Sequence, residues 1–394
     1  MSVWRRLLAL VPVVWLTACG TTGGPRSGPE VRFLGYYDMP TGLDLSALGM
    51  PGVPFGGISG IDRDPVTGIF HLISDDRSQR GPARSLKARI DADLSGIHRV
   101  TLLSATPLRD ADGRQFAPSG PGGPTVDPES IRVDPVTLGR FWTSEGDADA
   151  GGDPLLMLEV SNGSRSTAMP LPTTWHFDPA GHIGPRPNMT LEGLALYPDG
   201  SLVLAMEGPQ VQDGPPPSSH HGALTRLTRL TRTGQVLAQW AYPLDPISHL
   251  PDAQPVDNGV SEIAWLDDRH LLVLERAGLK RPDGSFVFDV RLYVADLTTG
   301  EDISTVPALT DRSHVRPVDK RLLFASGYLP MGLSPQNQEG MVLFPDPGTG
   351  RQLLLLVADD NFDQYLRSRF LLFVIGGDVV KDSLDTQQFG HLQK

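Results

Sequence analysis

Oxygen-bearing side chains recur in pairs along this chain. Ser59, Glu129, Glu192, Glu262 and Glu339 each open a short apolar run. Asp75 (with Asp76), Glu145, Glu207, Glu275 and Asp359 (with Asp360) each close the run that follows. Gathered in one place, these carboxylates would need raised pKa values or a cation, because like charges face to face destabilise one another. Donors that are all oxygen, without His or Cys, suit Ca2+, which accepts about 6–8 oxygens in a flexible shell. Zinc is not expected, since the histidines form no ligand-spaced motif. The first set is therefore read as metal ligands and the second as the catalytic acids and bases. Arg77, Arg186 and Arg276 could grip an anionic oxygen, with Asn188 and Asn361 as polar contacts. The bland alternative is that the acids only cap backbone amides at strand ends and that Arg276 pairs with its neighbouring acid.

The elements that would position these residues are short hairpins. In the first, Ser59-Gly60-Ile61 leads to the turn Asp64-Pro65-Val66-Thr67-Gly68 and back to Ser74-Asp75-Asp76. The same unit starts again at Glu129, Glu192, Glu262 and Glu339. In each, the turn lies midway between the two acidic positions, so the pair should be cross-strand neighbours. The repeat is longer than the common short repeats and suits one four-stranded blade with long loops. Scattered Gly (43) and Pro (36) between apolar runs also speak for many short strands. The expectation is an all-β chain forming a single β-propeller of five blades, or six if residues 276–338 hide a degenerate one. Val31 to Tyr37 has no hairpin of its own and should close the ring by completing the last blade. Inner strands surround the axis of a propeller, so the acids should converge at one end of it.

Gly56-Gly57-Ile58-Ser59-Gly60, Ser74-Asp75-Asp76-Arg77-Ser78, Asp127-Pro128-Glu129, Ser144-Glu145-Gly146 and Leu191-Glu192-Gly193-Leu194 resemble the phytase-like family, described by its "esterase-like activity of phytase". So do Leu274-Glu275-Arg276, Gln338-Glu339-Gly340 and Asp359-Asp360-Asn361-Phe362. The resemblance runs from about Val31 to Ile375. It implies a β-propeller and hydrolysis of phosphate or related esters. One departure is Ala358-Asp359-Asp360-Asn361-Phe362, where the family often has Ser-Asp-Asn-Asn-Phe. One Ser or Glu per blade is also similar to the central metal site of the five-bladed calcium-activated nucleotidases.

Arg5 and Arg6 precede an apolar stretch from Leu7 to Leu16, then Leu16-Thr17-Ala18-Cys19-Gly20. A positive start, a short apolar core and small residues before the cut make a secretory signal. The last segment resembles a bacterial lipobox, with Cys19 as the lipidated residue. Gly rather than Asp at position 20 resembles the outer-membrane sorting pattern. The expected organisation is a signal peptide over 1–18, lipidated Cys19 and a flexible tether over 19–30, the propeller over 31–376 and a tail over 377–394. The product would be a monomer anchored by lipid to the outer membrane, facing the periplasm or the surface. Cys19 is the only cysteine, so no internal disulfide forms. A formal net charge of −12 argues against nucleic acid as a partner. The basic run from Thr225 to Arg232 reads as a solvated strand.

Two functions compete. One is a Ca2+-dependent hydrolase at the cell envelope, acting on a small anionic ester. The other is a non-catalytic, metal-stabilised propeller that displays loops to a partner.

Overall fold

The computed structural model describes residues 30–120, 125–311, 313 and 315–376. Twenty strands form five four-stranded antiparallel sheets. Blade one holds β2 (Ile58–Arg63), β3 (Phe70–Ser74), β4 (Arg84–Asp93) and β5 (Gly96–Pro107). Blade two holds β6 (Pro128–Val133), β7 (Arg140–Ser144), β8 (Leu155–Glu159) and β9 (Ser166–Met169). Blade three holds β10 (Leu191–Leu196), β11 (Leu202–Met206), β12 (Ala223–Leu230) and β13 (Val236–Leu244). Blade four holds β14 (Gln254–Trp265), β15 (His270–Lys280), β16 (Phe286–Asp296) and β17 (Asp319–Ala325). Blade five holds β18 (Asn337–Pro345), β19 (Gln352–Asp359) and β20 (Arg369–Gly376). Its outer strand is β1 (Glu30–Asp38), which pairs with β20 from Val31 opposite Ile375 to Tyr37 opposite Phe370. The first strand thus closes the ring as expected, and no blade is left with three strands. There is no sixth blade among the described residues.

The innermost strands β2, β6, β10, β14 and β18 touch in turn around the axis. Apolar residues that alternate along each strand fill the gaps between neighbouring blades. Blades five and one share Phe70, Phe344 and Leu355, with the two rings 5.2 Å apart and nearly perpendicular. Blades one and two share Ile73, Ile131 and Trp142. Equivalent layers seal the other junctions. The β2–β3 turn is set by Asp64, which accepts hydrogen bonds from the Val66 amide and the Thr67 hydroxyl. Asp134 and Asp346 repeat this with Thr137 and Thr349.

The basic run is not solvated. Arg226 is buried on β12 with its guanidinium forked onto Asp213 at 2.6 and 2.7 Å, and Arg232 reaches across to Asp134 in blade two. The arginines recur every third residue and each meets an acid: Asp213 and Asp199 of the same blade for Arg226 and Arg229, and Asp134 of blade two for Arg232. Cys19, the signal peptide, the tether up to residue 29 and the tail over 377–394 lie outside the described residues.

Candidate functional site

Every inner strand carries a bulge at the same place. The register slips between Ile58 and Gly60, Pro128 and Ile131, Leu191 and Leu194, Val260 and Glu262, and Gln338 and Gly340. A bulge leaves its extra residue out of the ladder and re-aims its side chain. The bulged positions are Ser59, Glu129, Glu192, Ser261 and Glu339. The matching positions on the returning strands follow from the ladder: Ile58 faces Ser74, Pro128 faces Ser144, Leu191 faces Met206, Val260 faces Glu275 and Gln338 faces Ala358. One residue further on stand Asp75, Glu145, Glu207, Arg276 and Asp359.

Blade four is therefore read one residue out by its acids, and two assignments need correction. Glu262 falls on the position that Gly60, Ser130, Gly193 and Gly340 hold in the other blades. Its carboxylate does not reach the cavity. It accepts hydrogen bonds from the Leu194 and Ile263 amides and from the Ser130 hydroxyl, and it pairs with Arg132 at 2.8 Å. Glu275 points to the other face of β15, as alternate strand residues must. There it accepts from the Tyr242 hydroxyl and the Asn258 amide and pairs with Lys320. At that position blade four sends Arg276 into the funnel.

Four further assignments change. Asp76 borders the cavity but is held by Arg84 at 2.8 Å, both side chains fully buried. Asp360 is spent on the Gly57 and Phe362 amides and the Ser368 hydroxyl. Arg186 donates to the Gly214 carbonyl away from the cavity. The Ser59 hydroxyl is buried beside Glu339 rather than on the cavity wall. The expected cross-strand pairing is offset by the bulge: the Asp75, Glu145 and Glu207 amides bond to the carbonyls of Gly57, Asp127 and Thr190.

The funnel is a cavity of about 1080 Å³. Asp75, Glu129, Glu145, Glu192, Glu207, Glu339 and Asp359 line it, with Arg77, Asn188, Arg276 and Asn361. Asp127, Asp257 and Asn337 join them and were not picked out as site residues. Asp127 and Asn337 lie two residues before Glu129 and Glu339, and a strand returns to the same face after two residues. That spacing was the signal for them.

Two groups in this set could hold an ion. Asp127, Glu129 and Glu145 offer oxygens all within 4.8 Å of one another, as do Glu145, Glu192 and Glu207. Glu145 belongs to both. A second observation also speaks for a cation. The Asn337 nitrogen donates to Glu339 Oε1 at 2.7 Å and to Asp359 Oδ2 at 3.3 Å, which leaves its buried Oδ1 with no hydrogen-bond partner. A buried acceptor among carboxylates is satisfied by a metal, as it would be by a protonated carboxyl or a water. All the donors are oxygens, so the set fits a hard cation.

Electrostatics agree. Burial, then neighbouring carboxylates, pushes Asp75, Glu129 and Glu192 well above the usual carboxylate range. Burial raises Asp127 to about 6 against the pull of Arg77, and Glu145 to about 7. The two cations are already engaged. Arg77 pairs with Asp127 and donates to Asn188 Oδ1. Arg276 lies 3.0 Å from Asp257, 3.3 Å from Glu207 and 3.4 Å from Glu339. Gly57 makes room for this arrangement: its φ is +64°, and a Cβ there would come within 2.2 Å of Asp75 Oδ1.

The comparison with protein families decides the relationship: residues 53–362, more than half of the chain, match the phytase-like model, "Esterase-like activity of phytase". The chain belongs to the phytase-like family. No curated protein is significantly similar to it. Among solved structures it is similar to a thermostable family-43 glycoside hydrolase (10% identity, 82% of this chain and 90% of that one, TM-score 0.43). It is also similar to the α-L-arabinofuranosidase PaAbf62A from Podospora anserina (14%, 84% and 95%, TM-score 0.37). At these scores the likeness carries no argument about the chemistry of the phytase-like chain.

Proposed function

We propose that this phytase-like propeller is a calcium-dependent hydrolase of phosphate esters or related esters, working in the acidic funnel. The observation that carries the reading is the Glu145 carboxylate shared by two groups of acids, in the cavity that the partnerless Asn337 Oδ1 also lines. Asp127, Glu129, Glu145, Glu192 and Glu207 would hold the ion, with Asn337 as a neutral donor. Calcium is favoured over magnesium because these donors come from several strands at uneven spacing, which suits a large, flexible shell. Bound there, calcium would polarise the ester oxygen and acidify a water.

The chain's own residues supply the rest. Asp75 stands outside both groups, and its buried Oδ1 has no hydrogen-bond partner. It can take a proton from an attacking water, and burial raises its basicity for that task. Arg77 and Arg276 sit where an anionic ester oxygen would arrive, and each could exchange a carboxylate for it. The floor carboxylates are buried, which strengthens the charge interactions among them. Attachment to the cell envelope through lipidated Cys19 belongs to the same proposal. Cys19→Ser should move the protein from the membrane fraction to the soluble one, and an unchanged distribution would remove that part.

The test is turnover of model phosphate and carboxylic esters by the full chain, after EDTA and after added calcium. Activity should vanish with EDTA, return with calcium and fall at least about 100-fold in Asp75→Asn, in the range of a lost general base. Turnover that ignores EDTA, or that survives Asp75→Asn, would overturn this mechanism.

A further inference from the structure

The funnel has a second zone that the acids do not explain. Above the floor its wall is aromatic. Strands β15 and β16 are 11 residues each, against 5 for β7, and their ladder stays paired up to Lys280 opposite Phe286. β14 follows them out to Gln254 opposite Lys280. Blade four thus raises a three-stranded wall beyond the bulges, and Phe286 and Phe288 stack on it with ring centres 6.3 Å apart. The loop between β19 and β20 adds Phe362 and Tyr365 to the same cavity.

Two features mark these rings as more than packing. Phe286 is 43% exposed and Tyr365 73% exposed, although both line a cavity whose floor is charged. Burial is what an aromatic ring normally gains from folding, and these two have not gained it. Phe362 is held in a left-handed backbone (φ 51°) directly after Asn361 (φ 47°). Neither residue is glycine, and strain of this kind collects where a side chain must be aimed. The ring it aims lies against Gly57, beside Asp75, with the Arg80 guanidinium 4.4 Å from its centre.

Charge limits what can enter. Arg77 and Arg276 in the floor are engaged by acids, and with Arg80 and Arg281 the cavity lining holds four arginines against twelve acids. A ring bearing many phosphates would bring repulsion at every phosphate that found no cation. A substrate with one anionic group and a flat apolar ring meets that cost once, at a group that Arg77 or Arg276 can take over from its acid. Its charge would lie in the floor and its ring against Phe286, Phe362 and Tyr365.

We infer that the aromatic wall is a subsite for the ring of a singly anionic aryl ester, and that densely phosphorylated polyols are not the preferred ligands. This deepens the hydrolase reading and rests on it for the word ester. The test uses non-hydrolysable probes, so that binding is read without turnover. Calorimetry on the calcium-loaded full chain compares phenylphosphonate with methylphosphonate and inositol hexakisphosphate. Phenylphosphonate should bind about tenfold more tightly than methylphosphonate, the range an aromatic contact provides. Phe286→Ala and Tyr365→Ala should reduce that ratio to about threefold or less and leave the methylphosphonate affinity unchanged. Phe286→Leu, which keeps bulk but not the ring, should behave like the alanine variant. Equal affinity for the two phosphonates, a ratio that survives the substitutions, tighter binding of inositol hexakisphosphate, or no phosphonate binding at all would each overturn the inference. If the ratio is found but no ester is turned over, the subsite stands and the hydrolase reading fails. If esters are turned over without the ratio, the reverse holds.

Discussion

Arg132 and Glu262 meet at 2.8 Å in the middle of the ring, deeper than the bulges, and tie the inner strands together. The Arg132 guanidinium also donates to the carbonyls of Ile61, Ile131, Ile263 and Met341, which belong to blades one, two, four and five. Glu262 answers blade three through the Leu194 amide. Burial pushes Glu262 up to about 7 against the pull of Arg132 and of the amides and hydroxyl it accepts from. Arg132→Met strands a buried carboxyl and four carbonyls and should cost about 3–5 kcal/mol. Glu262→Gln keeps the shape and should cost about 1–3 kcal/mol. Denaturant unfolding of both variants measures this, and equal small losses would show that the pair is not a keystone.

Arg276 is one of the cations already inside the funnel. Arg276→Gln should lower the melting temperature in EDTA, because Glu207, Glu339 and Asp257 lose their partner. Calcium should then raise the melting temperature more than it does in the unchanged protein, since the ion meets more uncompensated charge. A smaller calcium effect in this variant would mean that Arg276 helps to build the ion site.

The floor makes stability depend on pH in a definite direction. Glu145 is raised from 4.5 to about 7 and Asp127 from 3.8 to about 6. Carboxyls with raised folded-state values stabilise below their unfolded values and lose that contribution as pH rises through the folded ones. Metal-free protein should therefore lose stability from these groups between about pH 4 and 7. His71 acts the other way. Burial, then Arg140, lowers it to about 4, so its contribution is lost as pH falls from 6.5 towards 4. With more acids than histidines in play, melting in EDTA should occur at lower temperature at pH 7.5 than at pH 5. Glu145→Gln should narrow that gap, and calcium should close it. A gap of opposite sign would contradict the charge balance of the floor.

Leu138 occupies a turn where its counterparts are Gly68 and Gly350. All three have positive φ, and Leu138 is at 56°. A side chain in that conformation costs about 1–2 kcal/mol, partly offset by the greater freedom of glycine in the unfolded chain. Leu138→Gly should therefore stabilise by up to about 1 kcal/mol, read as a higher melting temperature with an unchanged calcium response.

The ring, its closure and most of the floor were legible because each rests on local pattern. The turn around Asp64 repeats at Asp134 and Asp346, the Val31–Tyr37 strand had no partner of its own, and acids bracket each hairpin. What was not legible is register. The bulge moves one residue out of the ladder, and only the pairing of Val260 with Glu275 shows that Ser261 and Arg276 hold blade four's funnel positions. In sequence, Glu262 and Glu275 complete an acidic pattern that the fold does not use. Asp76 and Asp360 differ for a related reason: each sits beside a funnel acid but its carboxylate is taken up locally, by Arg84 and by Ser368. Asp127 was visible in the sequence two residues from Glu129, but its role depended on knowing that the bulge begins after Pro128.

Calcium binding in the funnel rests most directly on Glu145, the carboxylate common to both groups of acids. Calorimetric titration of calcium into metal-free protein, with Glu145→Gln beside it, measures this. The unchanged protein should bind calcium, and the variant should bind it at least about tenfold more weakly while keeping its fold. No binding by the unchanged protein, or equal affinity in Glu145→Gln, would contradict the metal centre and with it the mechanism proposed for the funnel.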